Sequence, residues 1–173
     1  ESAPMKPVTS DDPKAIFAKT PFTRLIGMQR DYSEGGKAQI SLDPNADLGN
    51  VIGAVHGGVV VTLLDVVMAS AAVSRVDFQK TVVTLNLDTS FLEPGRGPLT
   101  AQGEVVWQHT DLLHHHDAQW LDNGHLLYTT VEPLSPELAS RVVGGIPGSE
   151  AAGGVIYADV VKEVDRQGQV VWE

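Results

Sequence analysis

The sequence predicts an α+β fold in which an antiparallel sheet of about six strands wraps one long central helix. Three observations predict it. From His56 to about Val73 nearly every position is apolar or small, the pattern of a helix covered on all sides. The segments on either side alternate apolar and polar residues with a period of two, as half-buried strands do. Turn signals stand between successive strand segments, which suits antiparallel neighbours and a layered α+β arrangement.

The elements follow in order. Residues 1–12 read as a disordered lead. Asp11 or Asp12 offers an N-cap, and Pro13 fits the first turn of a short helix over about Pro13–Ala18. A second turn follows Pro21. Strands are expected over Met28–Tyr32 and Lys37–Leu42, joined through the EGG turn at 34–36. In the second, Ala38, Ile40 and Leu42 alternate with polar residues, so one face is buried. DPNADLGNVIG is a loop. The helix from His56 comes next, roughly 27 Å long at 1.5 Å per residue. Four strand segments follow. TVVTLNLDTSFLEP sets Val83, Leu85 and Leu87 against Thr84, Asn86 and Asp88; PLTAQGEVVWQH comes after the EPGRG turn; LLHHHDAQWLD pairs with HLLYTTVEPL across DNG. The domain so read spans 13–133. Beyond it, 134–173 is an extension: a Gly, Ser and Pro-rich linker with a short helix, then a hairpin turning at DRQG.

Composition limits the function. At 173 residues the chain can bury a real core. Its formal charge of −10 argues against duplex nucleic acid and anionic membrane surfaces, which need a cationic footprint. A small anionic ligand needs only a local group of Lys and Arg. With no cysteine there is no disulfide framework and no thiol nucleophile, which fits a cytoplasmic protein. No apolar run reaches about 18 residues without polar interruption, so no membrane span is expected. The opening ESAPMKPVTS lacks the basic end and apolar centre of a secretory signal.

The chemistry concentrates in NVIGAVHGGVVVTLLDVVMASAA. His56-Gly57-Gly58 sits where loop becomes helix. The first helical N–H groups have no intrahelical partner, and the dipole there favours negative charge. Such a start can cradle a carbonyl oxygen that becomes an oxyanion, or it is simply a tight entry turn. Asp65 lies mid-helix among Leu63, Leu64, Val66 and Val67. A carboxylate there needs a partner or a purpose. It either bonds to a loop or a neighbouring threonine, or serves as a general base or nucleophile. His56 and Asp65 are nine residues apart, so they point to opposite sides of one helix, about 13 Å apart along it. A shared site therefore requires two copies, with each helix giving its start to one site and its acid to the other.

NVIGAVHGGVVVTLLD followed by TVVTLNLDTSFLEPGRGPLTAQGEVV resembles the hotdog-fold acyl-CoA thioesterases of the phenylacetate-pathway (PaaI-like) type. The resemblance runs from about Phe22 to Val131. It implies a six-stranded sheet around the helix, a homodimer that pairs again into a tetramer, and hydrolysis of a thioester to a free acid and coenzyme A. No cofactor is implied. Asp65 matches the catalytic acid, as base or nucleophile. Gly57 matches the residue whose N–H polarises the carbonyl, and His56 its orienting neighbour. Asn50 matches an amide that places water or carbonyl, and Thr84 a hydroxyl beside the water. Asp65 and Thr84 are expected from one subunit, and Asn50, His56 and Gly57 from the other. Gly58, Arg75, Lys80 and Arg96 are the candidate substrate contacts. Val66, Val67 and Met68 are bulkier than is usual after the helix acid. The alternative is a non-catalytic acyl-CoA binder or sensor on the same fold. Hydration of an acyl thioester has no second signature here.

His114-His115-His116 invites a metal reading, because alternate strand residues share a face, but no ligand spacing elsewhere supports it and none is expected. Trp107 and Trp120 read as sheet-packing residues.

Overall fold

In the computed structural model of the chain, residues 8–10, 12–144 and 154–173 are described. They form two compact units, the first ending at Val106 and the second beginning at Trp107. The expected lead over 1–12 and the middle of the expected linker lie largely outside the described residues.

The first unit opens with one 3-10 turn, Pro13–Ala15, whose N-cap Asp12 accepts the Lys14 N–H at 2.9 Å. Two short helices follow, α1 (Ile16–Lys19) and α2 (Pro21–Ile26). Gly27, at φ 85, stops α2 in the left-handed conformation glycine adopts without strain. Strands β1 (Met28–Glu34) and β2 (Lys37–Leu42) form the expected hairpin. Gly35 and Gly36 both have positive φ, as a tight hairpin turn of this hand requires. After the loop comes α3 (Gly57–Ser74), and then β3 (Leu99–Glu104), antiparallel to β2. The sheet order is β1-β2-β3.

The core lies between α3 and this sheet. Leu63, Val67 and Ala71 pack on Ala38, Ile40, Leu42 and Ala101, with Phe17, Ile26 and Met28 closing the end. Each fully buried large side chain contributes about 1.5–3 kcal/mol. The close approach depends on Gly103, where an added Cβ would stand 2.9 Å from the Val67 carbonyl oxygen. Backbone cannot yield as a flexible side chain can. Gly103→Ala is therefore expected to cost about 1–3 kcal/mol by overpacking, read as a lower midpoint in urea. The far end of α3 is tied to the hairpin: Ser33 donates to the Ser70 carbonyl at 2.7 Å, and Gly36 N–H donates to Ser74 Oγ at 2.9 Å.

Two expectations change. The strand expected over TVVTLNLDTSFLEP is not in a ladder; Val83 and Leu85 are exposed. Alternation specifies which face a strand would bury but not its partner, and the chain itself offers this segment none among the described residues. Nor is α3 covered all round by the described residues of its own unit, where three strands cover one face. Leu63, Val67, Ser70, Ala71 and Ser74 are buried, whereas Met68 is exposed. Helix α3 has 18 residues and a mean hydropathy of 1.9, enough by length and composition for a membrane span. A core helix meets the same test, and its buried stripe is packed on the sheet.

The second unit is a four-stranded antiparallel sheet in the order β4-β5-β6-β7: β4 (His114–Trp120), β5 (Leu126–Pro133), β6 (Tyr157–Val164) and β7 (Val170–Trp172). A short helix, α4 (Pro136–Ala139), follows β5. The C-terminal hairpin thus extends the sheet from β5, with Leu126 opposite Val164 and Pro133 opposite Tyr157. Its turn is shaped by Asp165 Oδ1, which accepts the N–H groups of Gln167 and Gln169 at 2.9 Å each. Side chains hold β6 here as well: Lys162 bonds to Glu132 of β5, and Glu163 to His125 just before β5 at 2.6 Å.

Tyr128 is buried and its hydroxyl donates to Asp111 Oδ2 at 3.0 Å. Burial, and then the bond and charge of Asp111, push the phenol from its ordinary 10 up to about 12. The fold holds the neutral form, so this stabilisation is complete below pH 10 and is lost as pH rises through about 12. Tyr128→Phe is expected to remove one phenolate step near pH 12 from an absorbance titration of the folded protein. A titration that keeps the step contradicts the assignment.

Candidate active site

The loop before α3 is pinned by Asn50. Its Oδ1 accepts the N–H groups of Ile52 (3.1 Å) and Ala54 (3.0 Å), and its own N–H donates to the Ala54 carbonyl. Val55 N–H reaches the Gly95 carbonyl at 2.9 Å, and Arg96 Nη1 reaches the Gly53 carbonyl at 3.0 Å. These bonds clamp the loop to residues 95–96. His56 N–H donates to the Leu48 carbonyl, which sets the entry to the helix.

His56 is the N-cap of α3. Its Nδ1 accepts the Gly58 N–H at 3.0 Å, so the neutral ring carries its proton on Nε2. Val59 and Val60 N–H both reach the His56 carbonyl. The N–H of Gly57 has no acceptor among the described residues. It is the donor the helix start leaves open. It borders a largely apolar cavity of about 550 Å³, lined by Asn50, Val60, Leu64, Phe91 and Leu99 among others.

Asp65 lies two turns further on and is half-buried. Thr84 Oγ1 donates to its Oδ1 at 2.5 Å. This fixes the carboxylate and leaves Oδ2 without a bond among the described residues. Asp65 borders a different cavity, of about 580 Å³, with Phe17, Arg30, Val66, Phe78 and Lys80. One chain therefore brings Asp65 to Thr84, and Asn50 to His56 and Gly57, and keeps the two groups apart.

Residues 52–114 match the sequence pattern described as the thioesterase superfamily. This match spans the start of α3, Asp65 and Thr84. "Putative esterase SSO1253" of Saccharolobus solfataricus is 34% identical over 83 residues, 47% of this chain and 55% of that protein. The chain thus spans about half the length of this curated relative. The structure resembles a thioesterase family protein from Silicibacter pomeroyi (TM-score 0.53, 21% identity, 69% of this chain and 79% of that one). It also resembles the E. coli PaaI protein from the phenylacetic acid degradation operon (0.52, 17%, 92% and 83%). These likenesses carry the fold, which is the hotdog fold.

The other sequence-selected residues are spread out. Gly58 is exposed beside His56, and Arg96 stays at the loop. Lys80 is in the Asp65 cavity, and Arg75 caps the far end of α3. The three cations form no single cluster. Nor do His114 and His116 share a regular face, because β4 is irregular between His114 and Ala118 and His116 has φ 60. Among the described residues no group of three or more His, Cys, Asp and Glu could hold a metal ion.

Sequence reading missed Arg30. It follows Met28 by two on β1, so it shares the inward face, and that register was the available signal. Its guanidinium lies over the rings of Phe17 (4.5 Å) and Phe78 (5.4 Å), and burial lowers its pKa. Asp77 and Phe78 stand at φ 48 and 60 directly after α3. For a bulky residue this conformation costs about 1–3 kcal/mol, so packing must hold Phe78 there.

Proposed function

We propose that this chain hydrolyses an acyl-CoA thioester to a free carboxylic acid and coenzyme A, at two equivalent sites formed between two copies. One observation carries the reading: α3 presents a fixed carboxylate at its middle and an open N–H at its start, on separate cavities. Neither half has what acyl transfer needs, and a two-fold pair supplies both halves twice. The part of α3 that the sheet leaves uncovered supports a second copy, since Val73 remains half-exposed and Met68 exposed.

In this reading the Gly57 N–H of one copy donates to the thioester carbonyl oxygen and stabilises the charge that develops there. His56 holds that helix start through Gly58. Asn50 shapes the loop through its oxygen, leaving its amide nitrogen for the water or the carbonyl. From the other copy, Asp65 takes a proton from water or attacks the carbonyl carbon, steadied by Thr84. The C–S bond breaks and the coenzyme leaves as thiolate, then gains a proton; where Asp65 has attacked, water hydrolyses the resulting anhydride, which releases the acid and restores the carboxylate. Arg96 and Gly58 of one copy and Lys80 and Arg75 of the other would serve the coenzyme's phosphates.

The test is a panel of straight-chain and aromatic acyl-CoAs with detection of free thiol. Thiol release that disappears in Asp65→Asn is the expected result. Saturable thioester binding without thiol release would replace the hydrolase with the acyl-CoA-binding protein.

A further inference from the structure

The cavity that Asp65 borders carries a charge the hydrolysis does not use. Arg30 enters it from the inward face of β1, half-buried between Phe17 and Phe78. Its Nη1 donates to the Lys14 carbonyl at 3.3 Å, and its buried Nε has no partner. No carboxylate pairs with it among the described residues. A half-buried cation without a counterion is costly unless an anion answers it. The surroundings sharpen the point. The exposed Lys80 borders the same cavity, so two cations line it with the single carboxylate of Asp65, and Lys14 Nζ lies over the Phe78 ring at 5.6 Å. The backbone is held in an unfavourable conformation at Phe78, whose ring stacks on Arg30. Ile16, Val66, Ala69, Val73 and Val82 supply apolar wall, and Thr20, Ser70 and Gln79 are among its polar positions.

We propose that Arg30 is a specificity residue that binds a carboxylate at the far end of the acyl group, so that the preferred substrates are ω-carboxyacyl thioesters. The inference rests on the thioesterase reading above. An acyl chain whose carbonyl lies at Asp65 runs into this cavity along apolar walls, and Arg30 is the cation at hand for its end. A guanidinium offers paired donors to a carboxylate, which is the fit required. The coenzyme's phosphates are the other source of anionic oxygen. They are present on every acyl-CoA, so a phosphate contact would alter all substrates alike.

The experiment compares adipyl-CoA with hexanoyl-CoA in the wild type, Arg30→Met and Arg30→Lys, with folding checked by circular dichroism. Calorimetry with free adipate and hexanoate runs beside it. The wild type is expected to favour adipyl-CoA in kcat/KM by about tenfold or more, the strength of a charge-assisted bond. Arg30→Met collapses that ratio, and Arg30→Lys retains part of it. A wild type without the preference overturns the proposal, whatever the variants do. So does an equal loss on both substrates in Arg30→Met, which would assign Arg30 to the phosphates or to folding. If the folded wild type turns over no acyl-CoA, the hydrolase reading fails and the calorimetry decides the subsite. Adipate heat that is lost in Arg30→Met upholds it, and no adipate heat in the wild type overturns it.

Discussion

Asp65→Asn is expected to lower kcat for acyl-CoA hydrolysis by about 10²–10⁴-fold, the contribution of a positioned base. The substitution keeps size and shape, and its side-chain oxygen can still accept from Thr84 Oγ1, which bonds Asp65 at 2.5 Å in the native chain. It removes only the charge and the ability to take a proton or form an anhydride. The thermal midpoint should therefore stay close to the wild type, and KM should move less than kcat. A stopped-flow or steady-state thiol assay gives the kinetics, and calorimetry gives the midpoint. Full activity in a folded Asp65→Asn protein would end the proposed role.

Gly57→Pro is the second large effect. Gly57 is the first residue of α3, where proline is tolerated because its missing N–H would have no helical partner. The preceding residue, His56, already has φ −62 and ψ 135, the conformation that proline favours in its predecessor. An added Cβ would meet only the Phe91 ring, at 3.5 Å. The helix should form as before, less one N–H. If that N–H stabilises the oxyanion, kcat falls by about 10²–10³-fold. Gly57→Ala is the control, since it adds a methyl group and keeps the donor. A Gly57→Pro protein no slower than Gly57→Ala would place the oxyanion elsewhere.

Much of this was legible in the residues, for identifiable reasons. The helix over 57–74 could be read because its apolar run is too long and too continuous for a strand. The hairpin 28–42 could be read because Ala38, Ile40 and Leu42 alternate beside a turn of two glycines. The C-terminal hairpin showed itself in the same way around Gly168. What was hidden depends on partners. Val83 and Leu85 alternate as a strand should, yet alternation names no neighbour, and the segment joins no ladder. The nearly all-apolar surface of α3 says that it will be covered, not by which element. Local backbone irregularities were also silent: the break in β4 that disorders the faces of His114 and His116, and the left-handed pair Asp77-Phe78. At the site, spacing along the helix shows that His56 and Asp65 diverge. The bond from Thr84 spans 19 residues, and no periodicity encodes it.

The most direct measurement mixes the two inactive proteins. Asp65→Asn and Gly57→Pro are unfolded together, refolded at equal concentration and assayed for thiol release. If each site takes its acid from one copy and its N–H from the other, half of the dimers are mixed and each holds one intact site. Activity then returns to about a quarter of the wild type. If both groups serve one site within a single copy, every site in the mixture carries a defect. A mixture no more active than its two components would contradict the shared site.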